Sequence, residues 1–129
     1  MEPTEQSISS PDERIVALTR SILASRFPAD TQSERFRQLA FVHLTYAEAL
    51  RGHLPTRADL AQLLGATPSE TDAITRTLRD RGVVLIGQGV AQRGAPSEAH
   101  IFIRPDAVAA LSQSHLSATG EELAIDPTI

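Results

Sequence analysis

Four histidines, His43, His53, His100 and His115, are the side chains of this chain best suited to acid–base or metal chemistry, and their positions favour neither. No two stand at the spacing of a metal-ligand pair, and none has a neighbouring carboxylate pair of metal-site type. Cysteine is absent, which removes disulfides, thiol nucleophiles and sulfur-ligated zinc. All twelve basic residues are arginine, so a Walker-type phosphate loop, a Schiff-base lysine and a lysine general base are excluded as well. Gly87-Gln88-Gly89 follows a β-type run, but position 92 is Gln and a second strand pattern comes next, so the dinucleotide-binding fingerprint fails. No catalytic constellation remains. The expectation is a protein that is not an enzyme and carries no cofactor or metal.

What remains is a set of hydrogen-bonding and cationic side chains in one short segment, Ser69, Thr71, Asp72, Thr75, Arg76 and Arg79. Periodicity places them on a helix over 68–81, with Ile74 and Leu78 as its buried seam and Thr71 and Arg81 at the margins of that seam. Ser69, Asp72, Thr75, Arg76 and Arg79 are expected to point outward.

The elements that position this helix are announced by a capping box that occurs four times. Ser10-Pro11-Asp12-Glu13 and Thr67-Pro68-Ser69-Glu70 have a hydroxyl cap, a proline in the first turn and a carboxylate three residues on. Thr31-Gln32-Ser33-Glu34 and Thr56-Arg57-Ala58-Asp59 are the same box without proline. Helices are therefore expected over 11–26, 32–51, 57–64 and 68–81.

The first helix presents Ile15, Leu18 and Ile22 with Val16 and Leu23 on a broad stripe, and Phe27-Pro28 stops it. The second carries Phe36, Leu39, Ala40, His43, Ala47 and Leu50 on one face, while Phe41, Val42, Leu44 and Tyr46 fill much of the rest. A helix apolar nearly all round needs more than one cover, either neighbouring helices or a partner subunit. His43 reads as a core histidine. The third helix is expected to bury Leu60, Ala61, Leu63 and Leu64, with Gly65 in the left-handed conformation that permits a sharp turn.

After Gly82 the period changes. Val83–Ile86 and His100–Arg104 read as two strands joined by a glycine-rich loop over 87–98, and Pro105-Asp106 open a last helix over 105–113. Residues 1–10 and the acidic segment 114–129 are expected to be tails without fixed structure.

At 129 residues, 41% hydrophobic and 22% charged, the chain fits one globular domain. It contains no apolar run long enough to span a bilayer, and its acidic start lacks the features of a secretion signal, so a cytoplasmic protein away from membranes is expected. Charge is uneven. Residues 1–34 hold three arginines against six acids, residues 35–104 nine against six, and residues 105–129 none against four. A mildly basic centre between acidic ends permits contact with nucleic acid without requiring it.

The predicted fold is mostly α with a small β-hairpin, a winged helix-turn-helix with flanking helices spanning 11–113. Its helix-turn-helix covers 56–82 and its wing 83–104. The run Asp59-Leu60-Ala61-Gln62-Leu63-Leu64-Gly65, and Leu78-Arg79-Asp80-Arg81-Gly82-Val83-Val84 after it, resemble bacterial winged-helix transcription regulators. The MarR type is most similar, the Crp-like type next.

That resemblance implies a DNA-binding transcription regulator that acts as a homodimer on double-stranded DNA, with a small-molecule effector as a further partner. Geometry supports the role, because a helix held through Leu60, Leu64, Ile74 and Leu78 can push its other face into a major groove. Arg76 could make a two-pronged contact to guanine, Arg79 suits phosphate, and Ser69 and Thr71 could serve either. Arg57, at the start of the third helix, is a candidate backbone clamp.

The resemblance also implies that Gln92 and Arg93, flanked by glycines, form a wing tip for the minor groove. Glu70 and Asp72 argue back, since both would repel phosphate. Glu70 is expected to be engaged in its capping box, and Asp72 could accept from a cytosine amino group. Arg76 and Arg79 could instead form a solvated face paired with Asp72 or Asp80. Two other functions fit the same fold: a protein-binding adaptor, for which a pI near 5.5 is natural, and a plasmid or phage replication or partition protein.

Overall fold

The computed structural model describes residues 11–88 and 99–124. Five helices and two strands follow in the order α1 (Pro11–Ala24), α2 (Gln32–Leu50), α3 (Arg57–Leu64), α4 (Pro68–Asp80), β1 (Val84–Gln88), β2 (Ala99–Ile103) and α5 (Ala107–Thr119). The fold is helix-rich with one antiparallel hairpin, in which Val84 faces Ile103, Ile86 faces Ile101 and Gln88 faces Ala99. β2 lies within one residue of its predicted span, while β1 starts one residue later than predicted and runs two residues further.

Three of the four capping boxes fall in the described residues, and all three form. Thr31 accepts from the Glu34 N–H at 3.1 Å and returns its own N–H to Glu34 at 2.9 Å. Thr56 with Asp59 and Thr67 with Glu70 do the same. Each box satisfies two backbone donors that a helix start would otherwise leave bare. The fourth box begins at Ser10, outside the described residues.

The core gathers Leu18 and Ile22 of α1, Phe41 and Val42 of α2, Leu60 of α3, Leu78 of α4, Val83 and Val84, Ile101 of β2, and Leu111 of α5. Every element contributes, so the helices are held by burial against one another rather than by local propensity alone.

Several expectations are corrected. The buried face of α2 is Gln38, Phe41, Val42 and Thr45, not the row Phe36, Ala40, His43, Ala47 and Leu50, which lies exposed. His43 is therefore not a core histidine. It meets the Thr19 hydroxyl at 2.8 Å on the surface between α1 and α2. Leu63 is exposed rather than buried. The last helix continues to Thr119, six residues past its expected end, and Gly120 closes it in the left-handed region at φ 77°. Tertiary contacts hold that extension: His115 is buried edge-on against Phe27, with ring centroids 5.4 Å apart, and the Ser114 hydroxyl donates to the Arg81 carbonyl at 2.9 Å. No helix among the described residues is long and apolar enough to cross a membrane.

Candidate nucleic-acid interface

The aim of α4 is set at both of its ends. At its start Gly65 adopts φ 67°, and its N–H bonds to the Gln62 carbonyl at 3.2 Å, so α3 stops abruptly and only Ala66 and Thr67 precede α4. At its end the Val83 N–H bonds to the Leu78 carbonyl at 2.9 Å, leading the chain straight into the first strand. Gly82 sits between them at φ 82°, where a Cβ would lie 2.6 Å from the Ala110 Cβ. Only glycine satisfies both the backbone angle and the close approach of α5.

Arg81, the C-cap of α4, anchors that end to two other elements. Its guanidinium donates to both Asp30 oxygens at 2.7 and 2.9 Å and lies 3.6 Å from the centre of the Phe27 ring. Gln38 adds a third donor to Asp30 at 3.2 Å. The pair is largely shielded, with side chains 12% and 5% exposed. Burial alone would raise the Asp30 pKa, but the bonds and charge of Arg81, helped by Gln38 and Arg35, outweigh it and hold the carboxyl below its ordinary value.

Two of the expected contact residues are buried. Thr71 is 0% and Thr75 1% exposed, and their hydroxyls donate to the carbonyls four residues back, at 2.9 Å to Thr67 and 2.7 Å to Thr71. Together with Leu78 they form the inner face of α4, while Ile74 is only partly covered. Neither threonine can reach DNA. The backbone carbonyl supplies the acceptor, so the hydroxyl can enter a core without leaving an unmet bond.

The opposite side of α4 is open. Ser69, Arg76 and Arg79 are exposed, Asp72 is half-buried at the edge, and Ala73 is exposed between Ser69 and Arg76. Ser69, Ala73 and Arg76 stand four and three residues apart, which stacks them in one row along the helix. Ala73 is apolar, so a selection on hydrogen-bonding side chains passes over it. Its position in the row was the available signal, and a bare methyl there can meet a thymine methyl.

The carboxylates on this side are mostly occupied. Asp72 Oδ1 lies 3.4 Å from Arg57 Nη1, and Asp80 Oδ1 lies 3.5 Å from Arg79 Nη2. Glu70 accepts the Thr67 backbone N–H as expected, and this bond keeps its carboxyl below the usual range. Arg76 has no ion pair among the described residues. The arrangement thus presents an uncommitted guanidinium at the centre of the face, with Arg57 and Arg79 at its borders held by exposed pairs that cost little to exchange. Gln92 and Arg93 lie outside the described residues.

Tyr46 lines a cavity of about 290 Å³ between α1, α2, α5 and the end of β2, with Ile15, Phe102, Val108, Arg14 and Arg104 also among its lining residues. Arg104 is engaged by Asp106 through bonds of 2.8 and 2.7 Å.

Compared with family models, curated proteins and solved structures, the chain matches none.

Proposed function

We propose that the chain is a winged helix-turn-helix regulator that binds double-stranded DNA sequence-specifically as a homodimer, with α4 in the major groove and the 87–98 wing at the minor groove. One observation carries this reading. The inner face of α4, Thr71, Thr75 and Leu78, is fully packed, while Ser69, Ala73, Arg76 and Arg79 are left bare on a helix tied down at both ends. A rigid helix that spends its apolar side on the fold and exposes donors, a methyl and guanidinium groups has the chemical vocabulary of base-edge and phosphate recognition.

Within this reading Arg76 reads a base, Arg79 and Arg57 neutralise phosphates, and Asp72 holds Arg57 until a phosphate replaces it. Ser69, in the first turn of α4, shares with the helix N-terminus the capacity to hold a phosphate oxygen.

Selection of bound sequences from a random duplex pool tests the proposal. A two-fold symmetric consensus is the expected outcome, with half-sites about one DNA turn apart. Absence of binding to any duplex at low salt would overturn it in favour of a protein-binding adaptor.

A further inference from the structure

The outer face of α2 is as regular as its inner one. Phe36, Ala40, His43, Ala47 and Leu50 are all exposed, Phe36 at 53% and Leu50 at 62%, and their spacing alternates four and three residues. That is the spacing of a seam between two helices. No charged residue interrupts it, in a chain where 22% of residues are charged. A merely solvated face would carry its share of charges.

We propose that a second copy of this chain covers this seam, its α2 running antiparallel to the first about a two-fold axis at His43. This deepens the homodimer of the proposed function by naming its interface, and it stands on α2 and α1, without α4 or DNA. The order of side chains along the seam is the first argument. Phe36 and Leu50 stand seven residues to either side of His43, and Ala40 and Ala47 stand three and four away. Reversing the helix about His43 sets each large end residue of one copy against the other large end residue of its mate. The alanines then flank the centre, where two backbones must approach most closely.

Size is the second argument. Val16 and Leu23 of α1 are 47% and 42% exposed and lie one turn to either side of Thr19, whose hydroxyl touches His43. They extend apolar surface onto α1, where Arg20 stands between them in the same row. With α2 about 28 Å and α1 about 21 Å long and neighbouring helices about 9 Å apart, the face offers roughly 440 Å² in flat projection. Accessible area exceeds projection, so the face reaches the lower end of stable interfaces, about 600 Å² per partner.

Sedimentation of the full chain without DNA gives the first test. The parent is expected to run as a dimer, and Phe36→Glu with Leu50→Glu to run at the monomer mass of 13.9 kDa with an unchanged helical circular dichroism spectrum. Because the chain has no cysteine, register can be read directly by mild oxidation. His43→Cys is expected to cross-link to its own mate. Phe36→Cys and Leu50→Cys are each expected to remain uncrosslinked alone, and to form dimers when combined in one chain. A parent that stays monomeric at tens of micromolar, a dimer that survives the double glutamate change, or self-cross-linking of Phe36→Cys alone would overturn the proposal. Failure of DNA selection would leave all these readouts untouched, so the two readings fail separately.

Discussion

The guanidinium of Arg57, on the first turn of α3, lies 3.4 Å from the carboxylate of Asp72 on α4, so a cation expected to clamp a DNA backbone is held by an anion of the adjoining helix. Both side chains are nearly half exposed, and the pair contributes little to stability. Its consequence is electrostatic. Asp72→Asn should raise affinity for duplex DNA by removing the competing anion, while Arg57→Ala should lower affinity and make the salt dependence shallower by about one phosphate's worth, a log–log slope change near 0.9. Fluorescence anisotropy across a salt series measures both, and an unchanged slope would remove Arg57 from the interface.

Arg76→Ala should relax preference at a single base pair by about 1–3 kcal/mol, while Arg79→Ala should weaken all duplexes alike. Thr75→Val serves as the internal control, because a side chain 1% exposed has no route to DNA. Competition binding with a panel of single-base variants separates the three. A loss of sequence preference in Thr75→Val without a change in melting temperature would contradict the burial of that face.

Removing one partner of the Arg81–Asp30 pair strands the other in a shielded site. Asp30→Ala should destabilise the chain by about 3–5 kcal/mol, measured by urea unfolding at neutral pH.

The same pair makes stability depend on pH in a defined window. Asp30 titrates below its ordinary value of 3.8 in the folded chain. Its contribution is therefore complete above that value and disappears as pH falls through the lower, folded one. Urea midpoints from pH 5 to pH 2 should fall in the parent, and Asp30→Asn should flatten that part of the acid limb.

Gly82→Ala should lower the melting temperature strongly. The residue would have to hold φ 82° with its Cβ 2.6 Å from that of Ala110, combining backbone strain and overpacking at about 1–3 kcal/mol each. Pairing it with Ala110→Gly should restore only the steric part, which a double-mutant thermal series resolves.

Much of the architecture was legible because its signals are local. Thr67 and Glu70 are three residues apart and cap the helix they begin, and Gly65 marks a turn that few other residues could make. Faces were harder to assign. In α2 both sides are apolar, so periodicity could not choose between the Phe41 and Phe36 sides, and the choice depended on where α1 and the hairpin pack. Thr71 and Thr75 defeat the pattern because a hydroxyl bonded to its own helix behaves as core while counting as polar. The extension of α5 through Ser114 and His115 was hidden for a related reason, since its anchors, Arg81 and Phe27, are distant in sequence.

The contact of Arg81 over the Phe27 ring, and of Phe27 edge-on with His115, joins the far end of α4 to the α1–α2 connection and to α5. Turning α4 about its own axis would drag the guanidinium off both its carboxylate and its ring. Re-aiming that helix alone would break these contacts, so under the proposed DNA-binding reading an adjustment to a curved or twisted duplex comes from tilting the domain as a single block. On that reading, sequence choice would change by swapping side chains along a fixed blade, not by swivelling it.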